Sequence, residues 1–253
     1  MSLLQTRVVN RNDKSILKDA LYISGTNVVV DQINTHRLDE LEGPTIELNA
    51  LVFSDTRGKF EPPLDNKGDI KGTTLQYRLR FKKGCRVMLK YNIDVTDGLT
   101  NGSQGTLIDI ERNTDWKIQY LLVLFDKGAS GAKRRQSIQH TSFLPNVTPM
   151  ECIEKIFSLS KKSMNAFSTA TAIQYPVRLA YAATAHKIQG HTLKKPQPLV
   201  VDLVTWLQPA MAYVMLSRVQ SLVQLYILIQ YQQKNPPLAI GIRRGAKNER
   251  NRS

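Results

Sequence analysis

Leu21-Tyr22-Ile23-Ser24-Gly25-Thr26-Asn27 decides the fold class. Its first four residues have the make-up of a buried strand and run into a polar turn, and the turn feeds a helix that Gly43-Pro44 stops. Strand, polar turn and helix make a βα unit. Upstream, Asn12 or Asp13 is placed to cap a helix over 15–20. Downstream, 46–53 alternates apolar and polar, which predicts one strand. Residues 54–74 hold Gly58, Pro62, Pro63, Gly68 and Gly72 and predict a long loop or linker. The character then changes to short β runs: Leu75, Tyr77, Leu79 and Phe81 alternate, and 85–90, 104–111 and 116–125 follow, with a tight-turn signal at Asn101-Gly102. Brief strands of this kind suggest a small barrel. From Tyr175 the βα character returns. Residues 177–181 read as extended, 182–189 as a helix ended by Gly190, and 198–203 as a buried strand. Pro209 opens a helix to about Val219, and 225–229 is a last buried strand. The expected organisation is an α/β domain interrupted by a small β-barrel: 1–74, then the insertion at 75–172, then 173–231, then a basic tail at 232–253.

At 253 residues the chain is long enough to bury a core without disulfide or metal staples, and its 42% hydrophobic and 22% charged composition excludes a wholly disordered protein. Charge is the outlier. The net value is +14, which points to a polyanionic partner. It is unevenly spread: 11 basic and 11 acidic residues up to 80, 14 against 8 over 81–180, and 10 against 2 beyond. Part of the last excess is Lys234, Arg243, Arg244, Lys247, Arg250 and Arg252, read as a solvated, non-specific arm. The longest apolar run, 118–125, contains Gln119 and is far short of a spanning helix, and 1–14 lacks the apolar stretch of a signal peptide, so no membrane partner is expected. Cys85 and Cys152 lack ligand-spaced partners and read as reduced thiols of an intracellular protein.

Two late segments carry chemistry: Ala180-Tyr181-Ala182-Ala183-Thr184-Ala185-His186-Lys187-Ile188-Gln189-Gly190, and Ala212-Tyr213-Val214-Met215-Leu216-Ser217-Arg218. With Gly84-Cys85-Arg86-Val87-Met88-Leu89, the turn Gly98 to Gly105, and Gly25-Thr26-Asn27, they resemble the second half of superfamily-1 DNA helicases of the Pif/RecD type. In that family H-K-x-Q-G is the fifth motif and A-Y-V-x-L-S-R the sixth, while G-x-x-V-M-L with its N-G turn belongs to a Src-homology-3-like barrel inserted in the second RecA-like domain. Order and spacing fit over about 15–230. The resemblance implies a RecA-like fold without its own P-loop. It also implies a catalytic arginine finger at Arg218, an ATP cleft approached by Gln189, Gly190 and Arg218, and a DNA-binding set of Thr26, Asn27, Thr184, His186 and Lys187.

Each assignment has a plainer rival. Arg218, in the last turns of an apolar helix, suits either a finger that neutralises transition-state charge or an ion pair at a helix C-terminus. Thr184, His186 and Lys187 fall in the final turn of the expected helix, where a hydroxyl, an imidazole and an ammonium face a strand backbone; a core histidine is the rival for His186. Thr26 and Asn27 suit phosphate contact or helix capping, which are compatible. His191 reads as an exposed loop histidine. Lys133-Arg134-Arg135 sits among glycines and reads equally as a phosphate grip or a solvated hairpin tip.

Absences set the mechanism. No G-x-x-x-x-G-K-[ST] occurs: Gly58-Lys59 precedes Phe60, Lys133 precedes Arg134 and Lys247 precedes Asn248. Asp39-Glu40 is the only such pair and lies in a polar helix, a solvent face rather than a Mg²⁺ site. By resemblance, ATP and Mg²⁺ are bound only when the N-terminal helicase half completes the site in cis or in trans, single-stranded DNA is the other partner, and translocation runs 5′ to 3′. A nuclear or a viral or mobile-element setting goes with that reading. A non-catalytic single-strand binding module, or a degenerate helicase relic, fits the same residues.

Overall fold

The computed structural model describes residues 7–9, 20–138, 145–159, 169–185, 198–202, 216, 217, 219 and 221–228. Strand β1 (Val8–Val9) is followed by β2 (Leu21–Ser24) and helix α1 (Asn27–Asp39), the βα unit expected. The β-rich stretch runs through β3 (Ile46–Asn49), β4 (Leu51–Ser54), β5 (Gly58–Lys59), β6 (Arg78–Phe81), β7 (Arg86–Leu89), β8 (Gln104–Arg112) and β9 (Ile118–Phe125). A short helix, α2 (Ala132–Ser137), leads to β10 (Val147–Met150), β11 (Ile153–Ser158), β12 (Thr169–Gln174) and β13 (Val177–Leu179). Strands β14 (Ala182–Thr184), β15 (Leu199–Asp202) and β16 (Leu225–Leu228) close the set.

Five strands form one sheet in the order β1-β16-β15-β2-β14, with every pairing parallel. Successive residues of its strands are buried on opposite faces. Leu21, Ile23, Leu199, Val201 and Ala183 fill one core, and Tyr22, Val200, Ala182 and Leu228 fill the other with Val30 of α1. Covering both faces is what lets parallel strands be apolar at every position. Thr26 starts α1: its backbone is extended (φ −123°, ψ 146°) and its Oγ1 accepts from the Val29 N–H at 3.4 Å.

The rest is antiparallel. One sheet runs β10-β9-β8-β7-β13, a second β11-β12-β4-β5, and β3 pairs with β6. Leu79, Phe81, Val87, Leu89, Leu107, Leu121, Val123 and Met150 form its core, into which Leu38 at the end of α1 also packs. Gly105 is demanded by this packing, since a Cβ there would lie 2.6 Å from the Leu124 carbonyl oxygen and 2.8 Å from Val123 Cγ1.

Several sequence expectations change. The single strand over 46–53 is two, broken at Ala50 and committed to different sheets, β3 to β6 and β4 to β12. The stretch 54–74 contains β5 and carries Ile70, fully buried in a separate core with Val52 of β4, Phe157 of β11 and Ala170 and Ala172 of β12. Pairing in the β region reaches β4 on one side and β13 on the other, beyond the 75–172 span. The start of the expected 182–189 helix is a strand: Ala182–Thr184 pairs in register with Tyr22, Ile23 and Ser24. Small alanines fit the narrow space beside α1, and that packing overrides their helix propensity. The expected helix at 15–20, apart from Ala20, lies outside the described residues, as does nearly all of the one opening at Pro209.

Candidate nucleic-acid interface

Because β2, β14, β15 and β16 run parallel, their carboxyl ends share one edge, the edge at which open α/β sheets bind ligands. Thr26 and Asn27 follow the end of β2. Thr26 is exposed and Asn27 half-buried, at a helix N-terminus whose first amides lack intrahelical partners and whose dipole favours anions. Thr184 ends β14 and is aligned with Ser24, two residues before Thr26. It is therefore not in a helical turn, as the sequence predicts, but at a strand end, and it is 6% exposed. The structure thus brings Thr26, Asn27 and Thr184 to one edge. His186, Lys187, Gln189, Gly190, His191 and Arg218 lie outside the described residues.

Two buried polar groups, one at this edge and one at the other end of β14, escaped the sequence reading. Asp202 ends β15 and is 1% exposed, and Ser24 Oγ donates to its Oδ2 at 3.4 Å. The available signal was a lone carboxylate ending the apolar run Leu199-Val200-Val201. Asn34, buried in α1, accepts at Oδ1 from the N–H groups of Tyr181 (3.0 Å) and Ala182 (2.9 Å), and its Nδ2 donates to the Ala182 carbonyl at 3.4 Å. It pins the start of β14 to the helix. Tyr22, in the same core, has its phenol pushed up to about 12 by burial.

The basic cluster of the β region is not a hairpin tip but part of a short helix. Lys133, Arg134 and Arg135 lie in α2, whose first amides donate to Asp97: Lys133 N to Oδ1 at 2.9 Å and Arg134 N to Oδ2 at 3.0 Å. Arg134 Nε donates to the Pro149 carbonyl, Arg135 to those of Ser130 and Gly128, and Lys133 Nζ to Thr96 Oγ1. Gly131 begins this helix at φ 79°, and a Cβ there would meet Thr148 Oγ1 at 2.3 Å. Elsewhere Arg86 grips Asp126 with both nitrogens, and the buried Arg178 lies 3.5 Å from Asp69. Near that pair Lys90 is lowered to about 8, first by burial and then by the Arg178 charge. Both cysteines are free thiols, Cys85 buried and Cys152 exposed. Asp39 and Glu40 are exposed, as expected of a solvent face, and Glu40 pairs with Arg37 at 2.7 Å. Among the described residues no cluster of His, Cys, Asp and Glu could hold a metal ion, and no helix is long and apolar enough to cross a membrane.

Comparison with known proteins gives these features a frame. Residues 71–110 match the family model for the DNA helicase Pif1, 2B domain. The ATP-dependent DNA helicase Pif1 of Campylobacter jejuni is 27% identical over 212 residues, which cover 84% of this chain and 42% of that protein. The crystal structure of Pif1 helicase from Candida albicans aligns with a TM-score of 0.61 at 22% identity, over 89% of this chain and 48% of its own. Pif1 helicase from Bacteroides in complex with ADP-AlF3 and ssDNA aligns at 0.56 and 20%, over 86% and 42%. The chain spans less than half the length of these relatives. The likeness shows an α/β RecA-like fold with a barrel insertion.

Proposed function

We propose that this chain is the C-terminal motor half of an ATP-dependent DNA helicase. ATP and Mg²⁺ bind when an N-terminal RecA-like half, in cis or in trans, supplies the triphosphate cradle and the metal carboxylate. Gln189, Gly190 and the Arg218 finger close on the nucleotide from this side. Thr26, Asn27, Thr184, His186 and Lys187 form part of the single-stranded DNA track, along which opening and closing of the cleft steps the strand 5′ to 3′.

One observation carries the reading. The carboxyl edge of the parallel sheet gathers Thr26 and Asn27 from an early segment of the chain and Thr184 from a late one. Hydroxyls and free helix amides at a shared edge suit phosphate oxygens. The similar Bacteroides protein holds ADP-AlF3 and ssDNA.

The test mixes this chain with a protein carrying the P-loop half and measures DNA-stimulated ATPase. Turnover that needs both components and falls about 10³-fold or more in Arg218→Ala supports the assignment. Unchanged turnover in the mutant removes it. A second reading, a non-catalytic single-strand binding module, draws on the net charge of +14 and the same polar sheet edge. It predicts salt-sensitive oligonucleotide binding, with a slope of about −0.7 per phosphate neutralised, and no ATPase with any partner.

A further inference from the structure

The hairpin joining β8 to β9 displays a tryptophan that nothing in the fold requires. Trp116 is 80% exposed, the most exposed large apolar side chain among the described residues, and its φ of 59° lies in the region that favours glycine. Yet the tip is firmly built. Asn113 Oδ1 accepts from the N–H groups of Asp115 and Lys117, both at 3.0 Å, and Asn113 N donates to the Lys117 carbonyl at 2.8 Å. Trp116 N donates to the Asn113 carbonyl at 3.0 Å, and Arg112 Nη1 donates to the Trp116 carbonyl at 2.8 Å. These bonds hold an indole out in water on a fixed support.

The base of the hairpin lines a shallow groove with an apolar floor of Ile46, Leu48, Ile110 and Ile118. Its carboxylates are already matched: Asp109 lies 2.6 Å from Lys83, and Glu47 lies 3.1 Å from Arg80. Arg112 and Lys117, which line the same groove and flank the indole, have no carboxylate partner among the described residues, and 112–117 stays net positive even with Asp115. A projecting aromatic ring between two unmatched cations, beside an apolar trough, is the combination that holds single-stranded nucleic acid: the ring stacks on a base and the cations take the adjacent phosphates.

We infer that Trp116 is a base-stacking residue of the β insertion, with Arg112 and Lys117 holding the phosphates on either side of the stacked nucleotide. This rests on the proposed single-strand binding of the chain and adds a contact outside the sheet edge.

Trp116 and Trp206 are the chain's two tryptophans, so Trp206→Phe leaves Trp116 as the sole reporter. Titrating that full-length variant with oligo-dT should quench its emission, with a midpoint equal to that from the anisotropy of a labelled oligonucleotide. Trp116→Ala should weaken binding about 5- to 100-fold, and Trp116→Phe should recover most of it, because phenylalanine also stacks. Arg112→Ala with Lys117→Ala should reduce the salt slope by about 1.4. Wild-type binding with no quenching, or with full affinity in Trp116→Ala, overturns the stacking role and leaves the proposed function standing. If the wild-type chain binds no oligonucleotide at all, both fall together.

Discussion

In the parallel sheet, strand residues are apolar on both faces and the polar side chains Ser24, Thr26, Thr184 and Asp202 collect at one end. In the antiparallel region the polar groups are dispersed and used locally: Asp97 caps α2, Arg134 and Arg135 saturate nearby carbonyls, and Arg178 faces Asp69. Density of arginine and polarity of a sheet edge are thus two different arrangements: Arg134 and Arg135 turn guanidinium N–H groups to carbonyls of the protein itself, whereas Thr26 and Thr184 are brought to one edge by strand register.

The contrast can be broken by separating stability from binding. The largest effect is expected from Arg178→Met, which leaves the buried Asp69 with Lys90 as its remaining nearby cation and should cost about 3 kcal/mol in urea unfolding. Oligonucleotide affinity measured well below the unfolding midpoint should not change; a parallel loss of affinity would erase the distinction between the regions. Asn34→Ala comes next. It strands the Tyr181 and Ala182 N–H groups in the interior and should cost about 3 kcal/mol. Here affinity should fall as well, since β14 carries Thr184 to the edge, and retained affinity would show that the edge is not set by that anchor.

The smallest effect is a pH response from the β region. Folded Lys90 sits at about 8 against an ordinary 10.5, so above pH 8 the unfolded chain holds this proton more firmly than the folded one, and stability rises. The gain between pH 8 and 9 should be about 1 kcal/mol. Beyond pH 9 it is opposed by Cys85, which burial pushes from 9.0 up to about 11, so that unfolding there releases a proton. Lys90→Met should flatten the rise in chemical denaturation curves taken across pH 8 to 9. A rise that persists in the mutant would assign it to another group.

Much of this architecture was legible in the sequence. Leu21 to Ile23, Leu199 to Val201 and Leu225 to Leu228 announce buried strands by their apolar runs, and the strand beginning at Gln104 is announced by the Asn101-Gly102 turn before it. What failed was local reading of residues whose state is decided by neighbours distant in sequence. Ala182-Ala183-Thr184 has helical composition, but β2 on one side and α1 above leave room only for a strand of small residues. Lys133 to Arg135 reads as a loop because Asp97, which caps it, lies 36 residues earlier. Asn34 gives no signal at all, since a helix tolerates asparagine whether its amide meets water or the backbone of another strand. At the candidate site the residue types were readable, and the shared edge was not.

The sheet's strand order also constrains how the molecule is made. As the chain leaves the ribosome, β2 emerges well before its described partners β14 and β15, which lie beyond the whole insertion. The insertion contains its own pairings and can complete first, leaving a nascent apolar strand to be shielded by α1 or by chaperones until synthesis nears its end.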